Sequence, residues 1–269
     1  MLTTNGVLKI MVTALVNSLG RHTLLICSRV GAFVVFFFNA VKTFFSTKLK
    51  VEKTIFHMER IGVDSLLIVI LTGTFTGMVF ALQSYIGFKR VGGEQFIGTI
   101  VALGMIRELG PVLTGLMVTG RAGSAIAAEI GSMRITEQID ALKTLLVNPF
   151  QYLVVPRILA SIIIMPLLAL FCMICGIFGG YFVCVHVLEL SPEDYTSGIK
   201  NYVEMHDIWG GLIKSSAFGL ILSWVGSYKG YTTSGGARGV GESTTKSVVI
   251  ASILILIFNF FLTKLLEHL

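Results

Sequence analysis

Three ionisable residues stand inside apolar runs long enough to cross a bilayer: Arg107 and Glu108, side by side, and Lys214. A charge at bilayer depth costs at least ~2.5 kcal/mol on insertion scales, so such residues face a protein interior, a partner charge or a water-filled path. Adjacent residues on a helix point about 100 degrees apart, which makes Arg107 and Glu108 poor partners for one another. Pro111 lies four residues after Arg107. Its missing N–H leaves the Arg107 carbonyl without its usual helical donor, adding polar backbone at the same level. Arg107, Glu108, Pro111 and Lys214 are therefore the candidate cavity residues, a polar spot of the kind an amphiphile with a charged head needs.

Covalent and metal chemistry have little support. The five histidines show no metal-ligand spacing, and Cys27, Cys172, Cys175 and Cys184 all lie in apolar runs, where cysteine acts as a small hydrophobe. The expectation is no metal, no catalytic residue and no cofactor on this chain. The run GARGVGES at residues 236–243 echoes a phosphate-binding loop, but Glu242 stands where that motif needs lysine, and the run follows an apolar span rather than a strand. A flexible cytoplasmic turn is the better reading, and the chain reads as a transport subunit rather than an enzyme.

The elements that must position these residues follow from composition. Of 269 residues, 54% are hydrophobic and only 13% charged, with a mean hydropathy of +0.83. Soluble domains carry about a quarter charged residues, so this is an all-α integral membrane protein with little room for a separate catalytic domain. Five spans are expected, at about 64–88, 96–120, 154–188, 208–228 and 248–266, forming one domain over 61–269. Residues 1–60 form an N-terminal helical segment with an amphipathic opening. Its apolar run from Leu24 to Phe45 has basic residues on both sides, which favours an amphipathic helix in the cytoplasmic interface over a further span. Gly73 and Gly77 form a G-x-x-x-G pair in span one, suited to close helix packing. Ser191-Pro192-Glu193-Asp194 has the N-cap, first-turn proline and acids of a short helix start, placed outside the membrane.

Orientation follows from Lys and Arg. Placing the N-terminus in the cytoplasm puts fifteen on that side and four on the other, so the net charge of +6 reflects topology rather than nucleic-acid binding. The C-terminus then lies outside, and the segment between spans two and three is cytoplasmic. In its later half Ile135, Ile139, Leu142 and Leu146 share a helical face, and Asn148-Pro149 ends it.

The motifs ELGPV at 108–112, GRAGS at 120–124, AEIG at 128–131 and TEQ at 136–138 resemble the signature of the MlaE (YrbE-type) permease family. The resemblance extends in layout to Lys214-Ser215 in span four and to Ser234 and Arg238-Gly239 before span five. It implies a permease subunit of an ABC transporter that moves phospholipid or related lipid, with ATP bound by a separate ATPase subunit. It further implies a homodimer in a bacterial inner membrane, working with an MCE-domain protein on the outer side. The segment from about Ala122 to Leu146 would be the coupling helix, with Arg121, Glu129, Arg134 and Glu137 at or near the ATPase. A different class competes with this reading: an ion-coupled secondary transporter in which the buried Glu108 carries a proton.

Overall fold

The computed structural model describes residues 4–266 and is all-helical over them. Residues 1–47 and 48–269 form two separate compact units. The first is a single unbroken helix, α1 (Thr4–Ser46), within which Thr23–Ser46 is long and apolar enough to cross a membrane. The amphipathic opening rests on side chains outside the described ones, and the expected periplasmic C-terminus falls on 267–269, also outside the described residues.

The second unit contains five helical runs of spanning length, matching the five expected from the sequence. Each is longer than its apolar core, because polar residues that do not suit lipid still suit a helix. The first, α2 (Val51–Phe88), begins thirteen residues before the expected span. Two short turns lead into the second run, a nearly continuous rod over Glu94–Ile135 built from α3 (Ile97–Gly104), α4 (Gly110–Val118) and α5 (Ser124–Ile135). Two wider π-turns, Met105–Leu109 and Thr119–Gly123, join them. At ~1.5 Å per residue the rod is about twice the thickness of the hydrocarbon layer, so its later part leaves the lipid.

The rod ends at Glu137, whose φ of 60° is left-handed and cannot continue an α-helix. A short helix, α6 (Gln138–Thr144), follows. The single helix expected from Ala122 to Leu146 is thus two helices and a turn, and its expected apolar face is split. Ile139 is fully buried, whereas Leu146 is 95% exposed.

The third run enters through a π-turn at Phe150–Val154 and continues as α7 (Val155–His186), which carries Pro166 in its interior. Then comes α8 (Pro192–Tyr202), whose N-cap Ser191 hydroxyl accepts from the Glu193 N–H at 3.3 Å. Tyr195 anchors α8 to the bundle: it is buried and its hydroxyl donates to the Ile177 carbonyl at 3.0 Å. The fourth and fifth runs are α9 (Met205–Tyr231) and α10 (Gly236–Leu266).

The Gly-rich stretch before span five differs from its expected form. It is a turn only as far as Gly235 and Gly236, both at positive φ, and from Gly236 onward it is helix. Glu242 pairs with Arg238 and Lys246, each one turn away at 3.6 and 3.1 Å, and such i,i+4 pairs support a helix that glycine weakens.

Close helix packing fixes the frame. A Cβ on Gly73 would sit 2.7 Å from the Cys172 carbonyl of α7, and one on Gly77 would land on the Gly176 carbonyl. The G-x-x-x-G pair of α2 therefore meets a facing glycine of α7 within this chain, backbone against backbone.

Candidate functional site

Arg107 and Glu108 sit in the first π-turn, where the Gly110 N–H bonds to the Met105 carbonyl. The wider turn and Pro111 together leave the Arg107 carbonyl without a helical donor. The Lys214 ammonium of α9 fills that vacancy at 2.8 Å. It also donates to Glu108 Oε1 at 2.7 Å and to the Thr263 hydroxyl of α10 at 2.7 Å. An ammonium has three donors, and this one meets three acceptors from two helices. Glu108 Oε2 accepts from Asn259 Nδ2 at 2.8 Å. The Thr263 hydroxyl lies within hydrogen-bond distance of Glu108 Oε1 (2.9 Å) and of the Asn259 carbonyl (2.8 Å), and its single proton serves one of them.

Arg107 points the other way, as its helical position requires. Its guanidinium pairs with Asp207 at 2.6 Å, near the start of α9. The second oxygen of Asp207 accepts from the Glu204 N–H at 3.0 Å, so the same carboxylate caps α9. Lys214 and Asp207 are almost fully buried, while the Arg107 side chain is 54% exposed. The exposed part of that guanidinium faces a cavity of about 450 Å³ shared with Glu108, His206, Asp207, Gly210, Lys214 and Thr263. Beside it, Asn259 Oδ1 is buried without a partner among the described residues.

Depth follows from the partners. Asp207 lies at the start of α9, which follows α8 directly in the chain, and Thr263 lies within a turn of the end of α10, where the Leu266 carbonyl is 3.4 Å from His206. The cluster therefore sits toward the α8 end of the bundle rather than at its middle, where Arg107 and Glu108 were expected.

The four residues expected near an ATPase lie at the opposite end. Arg121 bridges to α2, pairing with Asp64 at 2.5 Å and donating to the Arg60 carbonyl at 2.9 Å. Glu129 lies between Arg60 of α2 and Arg157 of α7, the latter at 2.9 Å. Arg134 reaches both oxygens of Asp140 at 3.0 Å, and Lys143 reaches one at 2.8 Å. The Lys143 hydrogen bond, with Arg134 close by, holds the Asp140 carboxyl below its ordinary range. Glu137 is exposed in the turn between α5 and α6.

Sequence reasoning missed Asp207, Asn259 and Thr263. Asn259 left one signal, a lone amide in an otherwise apolar run of α10. Asp207 reads only as a helix-start residue, and Thr263 carries no signal, because threonine is ordinary in membrane helices.

The comparison with known proteins settles the family. The model of the permease MlaE matches residues 54–265. The chain belongs to the MlaE permease family. A probable ABC transporter permease protein of Rickettsia felis is 46% identical over 255 residues, covering 95% of this chain and 98% of that one. The intermembrane phospholipid transport system permease protein MlaE of Haemophilus influenzae is 39% identical over 211 residues, covering 78% and 81%. The chloroplastic protein TRIGALACTOSYLDIACYLGLYCEROL 1 of Arabidopsis thaliana is 40% identical over 217 residues, covering 81% of this chain and 62% of its own length. MlaE family membership makes the chain a multi-pass transport subunit, and its polar cluster is a feature of a permease bundle.

Proposed function

We propose that this chain is the membrane subunit of an ABC transporter that moves phospholipid or a related lipid between a bacterial inner membrane and an MCE-domain partner. Two copies would form a homodimer, a separate ATPase subunit would bind and hydrolyse ATP, and an MCE-domain protein would exchange lipid on the outer side. The N-terminus would lie in the cytoplasm and the C-terminus in the periplasm, in keeping with the Lys and Arg distribution. The observation that carries the reading is the Arg107 guanidinium, paired with Asp207 yet half exposed to the cavity, while Glu108 and Lys214 pair with one another. A guanidinium suits the phosphate of a lipid headgroup.

The proton-carrying alternative fits less well. Both oxygens of Glu108 are occupied, one of them by an ammonium that a proton would have to displace. Purification with the neighbouring ATPase subunit, followed by mass spectrometry of bound lipid and assay of lipid-stimulated ATP hydrolysis, tests the proposal. Proton-coupled flux through the purified chain with no ATPase present would overturn it.

A further inference from the structure

The opposite end of the second unit holds another cavity, of about 580 Å³, between the start of α2, α5 and the entry to α7. Its lining carries Lys53, Arg60 and Arg157 against one carboxylate, Glu129, which leaves an excess of cationic charge. That one carboxylate serves two guanidinium groups. Arg157 is only 5% exposed, and its Nε has no partner among the described residues. Buried cations are ordinarily matched by anions and hydrogen bonds, and here the match is incomplete.

The remaining walls suit the neck of an amphiphile. Lys53 lies over the Tyr152 ring at 3.3 Å, and Phe56 lines the same space. On the same stretch of α2, Ile55, Phe56 and Val63 are more than half exposed, an apolar face next to the cationic mouth. Aromatic and cationic groups beside exposed apolar ones mark the level of headgroups in a bilayer.

We propose that this pocket binds a phosphate group, as presented by the headgroup of an anionic lipid, at a site separate from the Arg107 cavity. Lys53 and Arg60 form its mouth and Arg157 its floor.

Amine acylation of Lys53 in the full-length permease in maltoside detergent, followed by peptide mass spectrometry, tests this with Lys246 as the internal control. Short-chain phosphatidylglycerol is expected to slow Lys53 acylation, whereas the matching diacylglycerol, which lacks phosphate, is not. Arg60→Gln is expected to weaken the protection about tenfold, the change for one lost charge-assisted contact, and Arg60→Lys to retain most of it. Equal protection by millimolar inorganic phosphate supports a site for the free anion; protection by phosphatidylglycerol alone supports a headgroup anchored by its chains. Equal protection by diacylglycerol, no protection by either phosphate source, or protection unchanged in Arg60→Gln overturns the proposal. So does protection by an acidic peptide alone, which would make the pocket a protein-docking site.

Discussion

Glu108 and Lys214 satisfy one another, but removing either has a different consequence. The Lys214 side chain is 4% exposed and that of Glu108 37%. Glu108→Ala strands an almost fully buried ammonium, whereas Lys214→Met removes the charge and leaves a carboxylate that can turn toward the cavity. Breaking a buried pair from the side that strands a charge costs roughly 3 kcal/mol. Glu108→Ala should therefore lower the unfolding temperature in detergent clearly more than Lys214→Met. The double variant should be less destabilised than the sum of the two, because no charge remains unmatched. Additive effects in such a thermal-unfolding cycle would mean that the 2.7 Å pair contributes nothing beyond its separate parts.

Helix packing around this cluster depends on where backbones touch. Gly77 faces the Gly176 carbonyl, so Gly77→Ala must push α2 from α7 at an expected cost of roughly 1–3 kcal/mol, the range for overpacking. Gly87, on the same helix, has open space around it, and Gly87→Ala should be neutral or stabilising by up to about 1 kcal/mol through helix propensity. Thermal unfolding of the two variants checks the contrast, and similar losses would show that the α2–α7 contact is not close-packed. The five runs of apolar residues and the short α8 were legible because length, hydropathy and capping are local properties. The α5–α6 break was not, because nothing in the types of Thr136 and Glu137 announces a left-handed backbone. The helical start of α10 was hidden by its glycines, whose turn signal outweighed the spacing of Arg238, Glu242 and Lys246.

Within the second unit, the charged clusters around Glu108 and around Glu129 lie toward opposite ends of the bundle, and this division decides which of them can meet a partner protein. Sequence alone made Glu129 and Glu137 equivalent, since both lie in the segment expected to meet an ATPase, and it could not see that Arg60 and Arg157 come from 69 and 28 residues away to hold Glu129. The partners of Glu108, at separations of 106 to 155 residues, were invisible for the same reason. Under the proposed function the two acids should behave differently. Glu129→Lys places a third cation beside Arg60 and strands the buried Arg157, so the permease itself should lose stability, by roughly 3 kcal/mol as for other stranded buried charges. Glu137 has no such tie: it is exposed where the rod ends, with Leu145 and Leu146 exposed a few residues beyond. Glu137→Lys should leave unfolding temperature and membrane insertion unchanged while reducing the ATPase subunit recovered with the purified permease. Recovery equal to wild type would remove Glu137 from the contact, and a loss of permease stability in Glu137→Lys as large as in Glu129→Lys would refute the distinction between a tied acid and a free one.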